Sequence, residues 1–169
     1  MIELGLFVAL LVLLAVLLFR RARPVTPAAH ADDEALCRAF GLDPGRYRVL
    51  GADVGAYPVK FFVRADGLIG CPDAVFLSHD DDELVCGEVK SRQHRSTMTD
   101  YERFQMVLYQ GALAAMHPGR RIRGLVCYRD RVSEAEYCPK TYRYLLSLAA
   151  EMRRAGLPAR RASTSLSRR

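Results

Sequence analysis

Residues 70–90 limit the fold of this chain more than any other stretch. Two apolar runs, Ala74–Leu77 and Leu84–Cys86, flank a polar tip at His79–Glu83. That pattern predicts a β-hairpin with a medium loop. On its second strand Glu88 and Lys90 are two apart, so both side chains leave the same face, and Val89 points the other way, into a core. A turn centred between Asp80 and Asp81 pairs residues whose numbers sum to 161, which sets Asp73 opposite Glu88. Two carboxylates and an ammonium then converge at one end of a two-stranded ribbon.

Two facing carboxylates repel each other unless a cation sits between them. Oxygen donors with open positions suit Mg²⁺ or Mn²⁺. A lysine beside such an ion orients or helps deprotonate a water, or offsets charge in the transition state. The competing reading is a solvated hairpin with ordinary surface charges.

Downstream, Thr99-Asp100-Tyr101-Glu102 is a capping box that starts a helix running to Met116, stopped by His117-Pro118-Gly119. Tyr101, Gln105 and Tyr109 form one stripe on it. Phe104, Val107, Leu108, Gly111, Ala112 and Ala115 form the face expected to be buried.

Pro72-Asp73, Glu88-Val89-Lys90 and Gln105-x-x-x-Tyr109 together resemble the signature of the PD-(D/E)XK nuclease superfamily, in its RecB-like branch. The resemblance covers about residues 33–131. It implies a restriction-endonuclease-like α/β fold, an αβββαβ core with a mixed central sheet. It also implies that Asp73, Glu88 and the Val89 carbonyl hold Mg²⁺ or Mn²⁺, that Lys90 is the catalytic lysine, and that Gln105 and Tyr109 support the site and the nucleic-acid backbone. A carboxylate on the first helix sometimes joins such sites. Glu34 is the candidate, against a plain surface acid favoured by the helix dipole. His30 is not assigned to the histidine that several RecB-like members carry upstream of the aspartate. The iron–sulfur cluster of some members is not expected, because the C-terminal cysteines that hold it are missing.

Along the chain, Leu4–Phe19 contains no polar side chain and is followed by Arg20, Arg21 and Arg23. At about 1.5 Å per residue the run is slightly short of a bilayer core of about 30 Å, but adequate with its flanks. The arginines predict an uncleaved anchor (residues 1–20) whose following residues stay in the cytoplasm, at the inner membrane. A cleaved signal peptide competes, but it would carry positive charge before the apolar run, where this chain has Glu3. Residues 21–31 read as a linker with Pro24 and Pro27, and residues 32–157 as the nuclease-like domain. Its first helix opens at Asp32-Asp33-Glu34 and ends at Gly41.

Strands are expected at Tyr47–Leu50, Val59–Val63 and Ile122–Tyr128, and a last amphipathic helix at Thr141–Arg154 with Leu145, Leu146 and Leu148 inward. Arg92 and Arg95, just past Lys90, and Arg129, at the end of a strand, are candidate phosphate contacts, or ordinary solvated arginines. Residues 158–169 form a basic Arg/Ser-rich tail expected to be disordered.

The net charge is +6 among 169 residues. Taking away the arginines of the two flanks and Glu3 leaves residues 24–159 with equal numbers of acidic and basic side chains. The basic character therefore belongs to the flanks and argues little for nucleic-acid binding by the domain. Five scattered cysteines with no Cys-x-x-Cys fit neither a disulfide framework nor a zinc site. The expectation is a membrane-anchored, metal-dependent nuclease acting on DNA. The alternative is a weak or inactive nuclease-like domain that binds nucleic acid or a protein at the membrane.

Overall fold

The computed structural model describes residues 28–55 and 57–155. The apolar run Leu4–Phe19, most of the linker and the basic tail lie outside the described residues. Among the described residues no helix is long and apolar enough to cross a membrane. The chain divides into two units, 1–32 and 33–169, and the second carries everything that follows.

In chain order the elements are α1 (Ala28–Ala39), β1 (Tyr47–Ala52), β2 (Val63–Ala65), β3 (Leu68–Gly70), β4 (Ala74–Ser78), β5 (Glu83–Val89), α2 (Asp100–Met116), β6 (Arg121–Cys127), β7 (Val132–Ala135) and α3 (Pro139–Arg154). Five strands form one mixed sheet in the order β1-β4-β5-β6-β7, and β2 pairs with β3 as a separate hairpin. All neighbours are antiparallel except β5 and β6. A parallel pair needs a crossover, and α2 supplies it. The chain is thus an α/β protein with a mixed five-stranded central sheet and a C-terminal helix.

The hairpin register follows from the position of its turn. Ala74 pairs with Gly87, Val75 with Cys86, Phe76 with Val85 and Leu77 with Leu84, the sum of 161 that the sequence predicts. Val75, Leu77, Leu84 and Cys86 face Met106, Ala112 and Leu113 of α2. Ala74, Phe76 and Val85 face Cys37 and Phe40 of α1 on the other side. Both faces of β4 and β5 are therefore covered, which is why their apolar runs are nearly continuous.

Several expectations are corrected. Val89 does not enter a core: it is 42% exposed, because β5 runs out past the cover of α1 at its last residue. The first helix begins at Ala28 rather than Asp32, so its first turn carries no acid; Ala28, Ala29 and Ala31 are strong helix formers. Of the segment Val59–Val63 only Val63 is in a strand. The buried residues of α2 are Glu102, Met106, Val107, Gln110, Gly111, Ala112 and Leu113, whereas Ala115 is exposed. On α3 the buried residue is Tyr142, and Leu148 is 39% exposed. Tyr142 lies flat on Gly111, where a Cβ would collide with its ring. Its hydroxyl donates to Asp66 in the turn of the β2–β3 hairpin at 2.8 Å.

Candidate active site

The site forms where β4 begins and β5 ends. One step beyond the Ala74–Gly87 pair, Asp73 and Glu88 leave the sheet on the face covered by α2. The backbone N–H of Val89 donates to Asp73 Oδ2 at 2.7 Å, which fixes the aspartate across the ribbon. Glu88 Oε1 accepts from Lys90 Nζ and from Gln105 Nε2, both at 2.9 Å. Lys90 Nζ also donates to Gln105 Oε1 at 3.1 Å. Gln105 thus uses both ends of its amide, with its oxygen on the ammonium and its nitrogen on the carboxylate.

Gln105 Nε2 reaches the Tyr109 hydroxyl at 3.2 Å, and that hydroxyl donates to the Cys71 carbonyl at 3.4 Å. The ring of Tyr109 rests on Gly70, where any Cβ would stand 2.7 Å from it. Burial pushes the Tyr109 phenol up to about 12, so it stays a neutral donor. The helix carrying Gln105 and Tyr109 therefore holds both the lysine and the chain that leads into Asp73.

Glu88 is buried. Burial raises its pKa, and repulsion from Asp73 raises it further, against the pull of Lys90 and Gln105. Asp73 is raised by burial too, against the Val89 N–H and Lys90, with Asp53 adding to the rise. Among the described residues, Asp73 Oδ1 and Glu88 Oε2 accept no hydrogen bond. A buried glutamate raised in part by the half-buried aspartate beside it, with one oxygen of each left open, suits a small hard divalent cation. The Val89 carbonyl follows in the same strand as a further oxygen donor. No group of three or more His, Cys, Asp and Glu side chains that could hold a metal ion occurs among the described residues. The oxygens that could hold an ion here are those of two carboxylates and of the backbone, hard donors of the kind that suit Mg²⁺ or Mn²⁺.

Asp53 is a neighbour that sequence reasoning missed. Its N–H donates to the Asp73 carbonyl at 2.8 Å, and its carboxylate is ion-paired with Lys60. The Ala52–Ala74 pair places it beside Asp73, but the β1–β4 register shifts between Val49 and Gly51. An alternation count carried along β1 misses by that one residue. Glu83 was missed as well. Buried at the opposite end of β5, it binds the Tyr47 hydroxyl and pairs with Arg121 at 2.7 Å. With Arg120 bound to Asp81 at 2.6 Å, those arginines are occupied by acids of the hairpin.

The other expected residues separate clearly. Arg92 grips Glu102 with two contacts of 2.6 and 2.8 Å and lies 4.9 Å over the ring of Tyr128, whose hydroxyl also donates to Glu102. Burial alone would raise the Glu102 carboxyl, but the bonds from Thr99, Arg92 and Tyr128 hold it below its ordinary value. Arg92 is thus a clamp between the segment after Lys90 and the first turn of α2. Arg95 and Arg129 are exposed and enter no ion pair among the described residues. The Arg129 N–H donates to the Arg92 carbonyl at 3.2 Å, and the Lys90 N–H to the Cys127 carbonyl at 2.8 Å, so Arg129 stands on the same rim as Lys90. Glu34 pairs with Arg38 at 2.7 Å. Its helix packs on the sheet face opposite α2, and it does not join the site.

No family model matches the chain, and no curated protein matches it. A solved structure described as the crystal structure of SSO0001 is similar over 77% of this chain and 62% of that one, at 17% identity and a TM-score of 0.38. The chain thus spans less than two thirds of that protein's length, and a likeness of this size decides neither fold family nor function.

Proposed function

We propose that this chain is a membrane-anchored, metal-dependent nuclease of the PD-(D/E)XK type that hydrolyses phosphodiester bonds of DNA. The observation that carries the reading is the Lys90 ammonium held by both Glu88 and Gln105, where the buried Glu88 stands beside the half-buried Asp73 that raises its pKa. The topology supports it: α1, β1, β4, β5, α2 and β6 follow one another as α-β-β-β-α-β, with the three antiparallel strands joined through α2 to a parallel fourth. That is the order of a restriction-endonuclease-like core. The β2–β3 hairpin is an insertion in it, and β7 and α3 are additions.

Asp73, Glu88 and the Val89 carbonyl are the residues that would hold Mg²⁺ or Mn²⁺. Such an ion, when bound, supplies Lewis acidity and lowers the pKa of a coordinated water. Lys90 directs its ammonium toward the space beside Glu88, where it orients an attacking water or offsets charge growing on the phosphate. Gln105 sets the direction of that ammonium, and Tyr109 ties Gln105 to the segment that carries Asp73. Arg95 and Arg129, exposed on the rim, provide contacts to the phosphate backbone. The apolar run Leu4–Phe19 and the arginines after it support an anchor in the inner membrane with this domain on the cytoplasmic side.

The neutral balance of residues 24–159 favours one other reading, a membrane-tethered module that binds without turnover. A cleavage assay separates the two. The full-length chain in detergent is incubated with labelled single- and double-stranded DNA and with RNA, with Mg²⁺, Mn²⁺ or EDTA, beside Lys90→Ala. Cleavage that needs the metal and falls by about 100-fold or more in Lys90→Ala is the expected result. A folded chain that cuts no nucleic acid under any of these conditions overturns the nuclease reading.

A further inference from the structure

Tyr101 stands next to the candidate catalytic lysine and does nothing for the fold. It is 65% exposed, and Lys90 Nζ lies 5.9 Å from its ring centroid. Its hydroxyl has no hydrogen bond among the described residues. The tyrosines 47, 109, 128 and 142, by contrast, all bind a partner through theirs. The exposed ring nevertheless sits on a helix turn held by hydrogen bonds on both sides of it. Thr99 and Glu102 close a capping box around it, and Glu102 is pinned in turn by Arg92 and Tyr128.

We infer that Tyr101 is a stacking platform for the nucleobase adjoining the phosphate to be cut, so that the site takes an unpaired strand or a frayed end in preference to an intact duplex. The inference rests on the nuclease reading for the identity of the ligand. An aromatic ring on a rigid helix turn offers a base a flat face at little ordering cost. A base inside a duplex is already stacked and paired and would have to be pulled out to reach it. The charge around the ring is complementary to the same ligand. Lys90 Nζ lies over the ring, and Arg129, exposed on the same rim as Lys90, suits a phosphate that flanks a stacked base. Stacking on a ring is indifferent to which base is present, so the platform selects strandedness rather than sequence.

The test uses the full-length chain in detergent and labelled oligonucleotides: a single-stranded oligothymidylate, a blunt duplex and a duplex with an overhang. Binding is followed by fluorescence anisotropy in EDTA, and cleavage in Mg²⁺. Tyr101→Ala is expected to weaken binding of the single strand about tenfold and of the blunt duplex by less than twofold. Tyr101→Phe and Tyr101→Trp keep the wild-type values. Tyr144, equally exposed at 63% but on α3, serves as the control, and Tyr144→Ala changes neither. An equal loss on single strand and duplex, a loss in Tyr101→Phe as large as in Tyr101→Ala, or a wild-type preference for the blunt duplex overturns the inference. The two proposals fail separately. Tyr101-dependent binding without cleavage leaves the platform standing and removes the nuclease. Cleavage with a silent Tyr101→Ala does the reverse, and a chain that neither binds nor cuts removes both.

Discussion

At the residue scale, the carboxylate pair sets a sign that can be measured. Glu88 and Asp73 both have raised pKa values in the folded chain, first through burial. Below the ordinary carboxylate range, at about pH 3 and lower, both states are protonated and the folded chain is not penalised. As pH rises through the raised values, the native state keeps protons that the unfolded chain has released, and stability is lost. In metal-free buffer Glu88→Gln is therefore expected to match the wild type at about pH 3 and to exceed its Tm by a few degrees at pH 7. Thermal denaturation across that range checks it, and a Glu88→Gln variant less stable relative to wild type at pH 7 than at about pH 3 contradicts it. Glu102 works the opposite way. Its lowered pKa gives stability that is present above its ordinary value and lost as pH falls through the depressed one, so it does not contribute to the effect of Glu88→Gln.

Among the elements, α2 carries the most responsibility, because one helix both closes the core and aims Lys90. Its contact with α3 depends on Gly111, whose missing side chain admits the Tyr142 ring. On helix propensity alone Gly111→Ala would stabilise by about 1 kcal/mol. Overpacking against a buried ring costs about 1–3 kcal/mol, so the net expectation is a loss of stability, read as a lower midpoint in urea. Adding Tyr142→Leu should recover part of it.

The same elements show what the sequence could and could not reveal. The β4–β5 hairpin was legible because two apolar runs flank a short polar tip, and a turn centred between Asp80 and Asp81 sets Asp73 across from Glu88. The capping box marked the start of α2 to the residue. Its buried face was legible only in part: Val107, Gly111 and Ala112 are buried as expected, but Glu102 and Gln110 are polar residues buried by partners elsewhere in the chain, Arg92 and the Ala135 carbonyl. For the same reason Arg92 reads as a free cation in the sequence and is a clamp in the fold. The short strands β3 and β7 were missed, being three and four residues long. Asp53 reaches the site only through an irregularity in β1.

For the whole molecule, the two sheet ends have different chemistry. One end gathers Asp73, Glu88 and Lys90, and the other balances the arginines at 120 and 121 against the acids at 81 and 83. A cation bound only by the folded state stabilises the entire chain, by about 2.7 kcal/mol at a hundredfold excess over its Kd. Millimolar Mg²⁺ is expected to raise the Tm of the full chain, more at pH 7 than at pH 5, since the carboxylates must ionise to bind it. Glu88→Ala should abolish the shift. An equal rise in wild type and variant would mean that the ion acts elsewhere.

β5 occupies the middle of the sheet, with β4 and β1 on one side and β6 and β7 on the other. Its two bonded neighbours come from very different distances along the chain: β4 is joined to it by a short turn, β6 only through the whole of α2. A growing polypeptide would complete the acidic ribbon well before Gln105 and Tyr109 left the ribosome. The carboxylates would then face each other with no helix to hold the lysine. The charges of the hairpin and the residues that aim them thus come from separate parts of the chain, brought together only by the docking of the crossover.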